Sequence, residues 1–389
     1  MPIALYLLAL AVFVMGTSEF MLAGLLPAIA SDLDDSIGTA GLLTSAFAIG
    51  MVIGAPVMAA WARHWPARAT LFACVVVFAV CHVTSALAPA FPVLFVSRVV
   101  AALSNAGFLA VALRTVTELV PRERTGRALS ILLSGTTIAT VIGVPAGALL
   151  GTALGWRATF WAIALLCLPA VLGVLRGVPR ASAGDHRTFG VGPRLSAELK
   201  QLRTPLLRNA MLLVALINGA TFAAFTFLAP VVTSIAGLSD AWVAPVLMTF
   251  GIGSVAGVTL AGRLSDQHPG LVVLIGGPLL ALGWVALACW AGTPLALIIG
   301  AFVQGTLAFG VGSTLITRVL RAAHGAPTMG GAYATVSLNL GATAGPALGA
   351  AGLAAGLGSL APLWIAAVLT GAALLVAIPA RQTLINEAE

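Results

Sequence analysis

The sequence predicts an all-α integral membrane protein, with twelve transmembrane helices in two six-helix repeats. Three observations carry that expectation. The chain has 389 residues, 60% hydrophobic and only 8% charged, whereas a soluble domain carries about 25% charged residues. Runs of about 20 apolar residues recur between short polar breaks, long enough as helices to cross a hydrocarbon core of about 30 Å. The second half of the chain also repeats landmarks of the first in the same order.

In chain order the apolar runs place spans at 4–28, 38–62, 69–88, 92–113, 127–152 and 158–176 in the first half. In the second half they fall at 209–233, 241–262, 271–291, 294–317, 327–353 and 359–380. The one long polar gap, 177–208, carries Arg180, Asp185, Arg187, Arg194, Glu198, Lys200 and Arg203. It divides the chain into a bundle at 1–176, a linker at 177–208 and a second bundle at 209–389. The first span has no Lys or Arg before it, is long, and holds Glu19 in its middle. It is therefore expected to stay in the membrane rather than be cleaved as a signal peptide.

The repeat is read from spacing. Leu26-Pro27-Ala28 closes span 1 and Ala229-Pro230-Val231 closes span 7, an offset of 203. Gly50, Gly54 and Gly107 match Gly253, Gly257 and Gly310 at the same offset. Gly143, Gly147 and Gly151 with Pro145 in span 5 correspond to Gly341, Gly345 and Gly349 with Pro346 in span 11. Six spans is an even number, so the repeats are parallel, about an axis along the membrane normal. The glycine ladders follow the small-xxx-small spacing that lets helices approach closely, and the prolines are expected to kink their helices. Close seams at matched places suit a rocking gate.

Charge gives orientation. Of the 19 Lys and Arg, all but Arg98 and Arg157 fall inside if the N-terminus is cytoplasmic. The opposite loops carry acids, namely Asp32, Asp34, Asp35 and Asp240. Both termini are thus expected in the cytoplasm, with the protein in the inner (plasma) membrane. The net charge of +7 is spread over span ends, not gathered into a basic patch with aromatics, so no nucleic-acid partner is expected. Cys74, Cys81, Cys167 and Cys289 lack metal-ligand spacing and read as small buried hydrophobes. No G-x-S-x-G elbow, H-E-x-x-H or P-loop occurs, so neither an enzyme nor an ATP-driven pump is expected, and no cofactor or metal.

Two charges fall well inside spans, Glu19 and Arg98. Glu19 lies roughly 22 Å along span 1 from its cytoplasmic end, and Arg98 reaches a similar depth in span 4 at about 1.5 Å per residue. Intramembrane charges are costly unless they share a partner, a proton or a watery cavity. Desolvation favours the protonated carboxyl and a nearby cation favours the carboxylate, so modest changes in water access could load or release a proton. Glu19 is the expected proton carrier, and Arg98 its partner. Other polar residues within spans are Asn105, Thr136, Thr137, Asn218, Thr221, Gln304, Tyr333 and Asn339. For each of these, helix glue and ligand contact are both open. His82, alone in span 3, is expected to be structural.

Several of these motifs resemble a known family. Gly262-Arg263-Leu264-Ser265-Asp266-Gln267-His268-Pro269-Gly270 is similar to the cytoplasmic loop motif of the major facilitator superfamily, which makes Gly262 and Asp266 gating residues by resemblance. The matching loop Ala59 to Arg68 departs from it, with Arg63 where the family has Asp. Arg98-Val99-Val100 resembles the motif whose arginine serves proton coupling. Gly143-Val144-Pro145-Ala146-Gly147 resembles the antiporter motif of span 5, and Gly155-Trp156-Arg157 with Phe160 the span 5–6 connection of drug exporters. Around Gly16-Thr17-Ser18-Glu19-Phe20-Met21 and Leu132-Leu133-Ser134-Gly135-Thr136-Thr137 the chain is similar to actinobacterial chloramphenicol-resistance exporters.

The resemblance covers the whole chain. It implies a monomeric drug:proton antiporter working by alternating access, with a small neutral amphenicol and protons as its ligands and the lipid bilayer as its surroundings. Residues of spans 1, 4, 7, 10 and 11 would line the cavity, among them Glu19, Asn105, Asn218, Thr221, Gln304, Tyr333 and Asn339. Gly143, Pro145, Gly147, Gly345 and Pro346 would form the gate. A sugar or metabolite efflux carrier of the same fold, and a receptor or scaffold that transports nothing, remain the alternatives from sequence.

Overall fold

The computed structural model describes residues 3–61, 65–121, 124–178, 195–267, 269–326 and 329–377. These residues form helices that run back and forth. In the first half they are α1 (Ile3–Phe20), α2 (Ile37–Trp61), α3 (Ala67–Ala86), α4 (Phe91–Glu118), α5 (Thr125–Leu154) and α6 (Trp156–Gly177). In the second half they are α7 (Pro205–Thr226), α8 (Val243–Gln267), α9 (Pro269–Trp290), α10 (Pro294–Ala322), α11 (Gly330–Ala354) and α12 (Ala361–Ala377). Ten of the described helices are long and apolar enough to cross a membrane. The other two are α11, diluted by glycine and small polar residues, and the 17-residue α12.

Both leading helices break where the repeat places a proline. α1 ends at Phe20, tightens into a 3-10 turn at Met21–Gly24 and resumes as Leu26–Asp32. α7 ends at Thr226, is followed by Leu228–Pro230 and then a π turn at Val231–Ile235. The expected single span 4–28 is thus interrupted one residue beyond Glu19. α5 carries a π turn at Ala139–Gly143. Pro145 lacks the N–H that would bond the carbonyl four residues back, and widening the helix by one residue accommodates the defect. Pro346, its counterpart, sits inside an uninterrupted α11.

The motif expected as a loop after span 8 is largely helical, since α8 runs to Gln267 and includes Gly262 and Asp266. Gly262 is exposed; the side chain of Asp266 lies outside the described residues. Part of the matching first-half loop, 62–64, lies outside them as well. Cys74, Cys81 and Cys167 are buried as expected, but Cys289 is exposed.

Two large hydrophobic cores organise the described residues, with a small third cluster of Ala48, Phe222 and Ala342 between the halves. One gathers residues of α1 to α6, joined by Phe227 and Ala350. The other gathers residues of α7 to α12, joined by Ala23, Val144 and Ala148. Between them α2 meets α11, where Ser45 Oγ donates to the Thr343 carbonyl at 2.8 Å. The linker helix Leu195–Lys200 docks on the second half. The buried Glu198 carboxylate accepts from the Met329 N–H at 2.8 Å, and its backbone carbonyl accepts from the Tyr333 hydroxyl at 2.9 Å. This linker face is opposed by an acidic face, where Arg157 pairs with Asp32 and donates to the Ala88 carbonyl at 3.1 Å.

Candidate functional site

The site sits where α1 breaks. Arg98, on α4, has no solvent exposure at all, so it does not reach out to an interface. Among the described residues its guanidinium donates hydrogen bonds to residue 18. Nη1 donates to Ser18 Oγ at 2.7 Å and Nη2 to the Ser18 carbonyl at 2.8 Å. It lies over the Phe47 ring from α2, 4.4 Å from the centroid, an arrangement that favours a cation on the ring face. Nε has no hydrogen-bond partner.

Glu19, the next residue, is half-buried. The Glu19 and Arg98 charges act on one another, yet no hydrogen bond or ion pair joins them among the described residues. The expected facing pair is therefore a near pair, with Ser18 taking the guanidinium. Ser18 also reaches α3, where its hydroxyl lies 2.6 Å from His82 Nε2, and His82 Nδ1 lies 2.7 Å from the Phe78 carbonyl. His82 is structural in one sense, as expected, but it is tied to the charged pair.

Phe20 follows Glu19 and crosses to the other half. Its ring centroid is 5.8 Å from Phe222 and 6.4 Å from Phe225, both on α7. Phe225 lies 4.9 Å from Phe250 on α8, which lies 6.2 Å from Phe309 on α10. These five rings, with Thr140, Thr221 and Ser254, enclose a nearly collapsed pocket of about 10 Å³. A larger cleft of about 500 Å³ opens on the linker face between α2, α4 and α11, lined by Met51, Met58, Ala106, Arg114 and Thr335 among others. At the acidic face α2 and α11 close up, with Gly38 against the backbone of Ala350.

The other candidates scatter. Thr221 alone of the uncharged set lines the inter-half pocket. Asn105 donates to Met51 Sδ at 3.7 Å, Asn218 to the Leu338 carbonyl at 2.7 Å, and Asn339 to the Thr335 carbonyl at 2.9 Å. Gln304 ties α10 to α9 through the Leu280 carbonyl at 3.2 Å, and Tyr333 ties α11 to the linker. The ladders pack inside their own halves. Gly143 and Gly147 of α5 face Thr17 and Met21 of the first chain segment, and Gly345 of α11 faces Gly219 of α7. Sequence reasoning missed Ser18, Phe47, the phenylalanine cluster and the bond that ties His82 to Ser18. Ser18 stood beside Glu19, and Phe222 and Phe225 are spaced for one helix face; those were the available signals.

A membrane bundle with a buried cation, a neighbouring carboxylate and a pocket at the seam of two halves belongs to the class of small-molecule transporters. Residues 8–346 match the Major Facilitator Superfamily, and the chain belongs to that family. It is 59% identical, over all of its own length and 98% of the other's, to the chloramphenicol resistance protein of Streptomyces lividans. It is 34% identical to the inner membrane transport protein YdhP of Escherichia coli, covering 96% of this chain and 95% of that one. Its fold matches that of a bacterial homologue of the human lysosomal transporter Spinster, with a TM-score of 0.70 at 18% identity, covering 99% and 95% of the two chains.

Proposed function

We propose that this protein exports a small drug of the chloramphenicol class in exchange for protons, by alternating access across the inner membrane. The observation that carries the reading is the position of Glu19. It is a half-buried carboxylate at the break of α1, between buried Arg98 and Phe20, which closes the pocket at the seam. Proton binding at that point can change the break, and the break moves a wall of the pocket. Five phenylalanine rings favour an aryl compound over a sugar, which would need hydrogen-bonding side chains. The full-length likeness to a chloramphenicol resistance protein supports the same substrate.

The accompanying arrangement is twelve spans in two bundles, 1–176 and 209–389, joined by a cytoplasmic linker at 177–208, with both termini cytoplasmic and the chain acting as a monomer. The two separate cores support the division. In this orientation the cleft faces the cytoplasm and the acidic face is shut, so drug enters from inside. Gly143, Pro145, Gly147, Gly262, Asp266, Gly345 and Pro346 lie on the elements that would move. Asn105 bonds Met51, which lines the cleft, and Asn339 bonds within its own helix, while Asn218, Gln304 and Tyr333 tie separate elements together.

The test is chloramphenicol flux in proteoliposomes driven by a pH jump. Glu19→Gln keeps the shape and removes the ionisable site. It is expected to insert normally and to lose at least about 100-fold in driven flux, or roughly 2.7 kcal/mol of barrier. Wild-type flux from Glu19→Gln would overturn the assignment of the proton to this residue.

A further inference from the structure

Arg98, Ser18 and His82 form one chain of hydrogen bonds in which each link fixes the next. The Phe78 carbonyl can only accept, so His82 Nδ1 at 2.7 Å must carry the proton. In the neutral ring Nε2 is then an acceptor, and the Ser18 hydroxyl at 2.6 Å must donate to it. With its proton committed to the ring, Ser18 Oγ turns only lone pairs towards Arg98, whose Nη1 donates at 2.7 Å. The ring itself is fixed in place, 4.3 Å from Phe78 and 5.9 Å from Phe160 between centroids. Three helices, α1, α3 and α4, meet in this chain.

Its effect is to give a buried guanidinium acceptors other than Glu19. Both Nη groups are used on residue 18, and Nε is left without a partner. An arginine with an unused donor beside a carboxylate would move onto it unless held elsewhere. We propose that His82 and Ser18 are positioning residues for proton exchange at Glu19: they hold Arg98 one peptide short of the carboxylate, so that Glu19 can take and release its proton without a standing ion pair. This rests on the reading of Glu19 as the proton carrier.

The charged surroundings are simple. Arg98 is the charge that acts on both Glu19 and His82, and Cys81 on α3 is the other titratable group acting on Arg98. No titratable side chain of α5, α6 or α7 among the described residues acts on Glu19. If His82 is removed, the Ser18 hydroxyl is free to rotate and no longer presents a fixed acceptor. The guanidinium then moves to the Glu19 carboxylate, which holds its charge, and a higher proton concentration is needed to load it.

The experiment measures pH-driven chloramphenicol flux against pH in proteoliposomes for wild type, His82→Ala, Ser18→Ala, His82→Gln and Glu19→Gln. His82→Ala and Ser18→Ala should each need about tenfold more protons for half-maximal flux, with drug–drug exchange at equal pH retained. Combining them should shift the profile no further, because they break the same chain. His82→Gln offers Ser18 an uncharged acceptor near the place of Nε2 and should return the profile to that of wild type. Should His82→Ala fail to insert, Ser18→Ala carries the test, as Ala is the better helix former. An unmoved profile in His82→Ala or Ser18→Ala overturns the proposal. So does a His82→Gln profile displaced as far as that of His82→Ala, which would mean that the ring itself titrates. Driven flux surviving in Glu19→Gln would instead overturn the coupling reading beneath it.

Discussion

In the first half Gly50 of α2 lies so close to α4 that an added Cβ would strike the Val99 carbonyl; in the second half Gly253 of α8 would strike that of Phe302. Both residues of the pair differ by 203 positions. Gly107 and Gly310 repeat the pattern, one against Met58 and the other against Ala261, again 203 apart. At these positions the two scaffolds correspond contact for contact. The chemistry does not. At the same offset Ser18 becomes Thr221, Glu19 becomes Phe222, His82 becomes Val285 and Arg98 becomes Ala301. One half carries the charges and the hydrogen-bond chain, and the other presents aromatic surface. The two meet where Phe20 packs on Phe222. The repeat gives a symmetric frame, and the charged and hydrogen-bonding residues of the candidate site break the symmetry at its centre.

The largest effect is expected from moving the charge. In the double variant Glu19→Phe with Phe222→Glu the carboxylate sits at the equivalent place of the second half, where Ala301 stands for Arg98. A carboxylate there has no cation to stabilise its charged form, so it remains protonated through the cycle. Driven chloramphenicol flux should fall at least about 100-fold, while the membrane-inserted yield is preserved. Substantial flux would mean that the halves are interchangeable and would break the comparison.

A smaller effect separates the two glycine ladders. A Cβ at Gly345 would run into the Gly219 carbonyl of α7, which cannot move without parting the helices. A Cβ at Gly147 meets Met21 and Thr159 at 3.4 Å, ordinary contact. Gly345→Ala should destabilise the protein by about 1–3 kcal/mol, the usual range for overpacking. Gly147→Ala should be within about 0.5 kcal/mol of wild type, as for a substitution that disturbs no such feature. Thermal unfolding in detergent measures both. Equal losses would show that the seams are alike and that the asymmetry is confined to the charged centre.

Most of the frame was legible because it rests on patterns that act locally. Apolar length and glycines spaced by four each report on one helix and its neighbour. The breaks in α1 and α7 were only half legible. Pro27 and Pro230 marked them, but whether a proline opens a π turn, as at Pro145, or is absorbed, as at Pro346, depends on how neighbours fill the gap. The site was less legible still. Glu19 and Arg98 stood out because intramembrane charge is expensive, yet depth along a helix does not say which way a side chain points. That Arg98 takes Ser18 rather than Glu19 is decided by rotation about α1. Asn218, Gln304 and Tyr333 looked like ligand contacts for the same reason, and the fold uses them between helices. Phenylalanines in an apolar chain carry no contrast, so the aromatic pocket could not be told from core.

The smallest effect concerns a staple found in one half only. On the acidic face Asp32 pairs with Arg157 and accepts from Trp156 Nε1 at 3.2 Å, and the Arg157 guanidinium lies 4.2 Å from the Trp156 ring centroid. The position equivalent to Asp32 is Ile235, which can make no such bond. Hydrogen bonding from Arg157, helped by Trp156 and outweighing burial, holds the Asp32 carboxyl below its ordinary value, about 3.9 in an unfolded chain. The sign of its contribution follows. The folded state prefers the charged form, so the stabilisation is complete above the unfolded value and is lost as pH falls through the depressed folded one. The side chains are 37% and 46% exposed, so solvent screening limits the pair to about 0.2–1 kcal/mol. Asp32→Asn should therefore melt slightly below wild type at pH 7 in low salt. The gap should narrow as salt is raised and close in acid once the wild-type carboxyl is protonated. A difference that persisted in acid would belong to packing around Trp156, and no difference at pH 7 would mean the first half needs no staple that the second lacks.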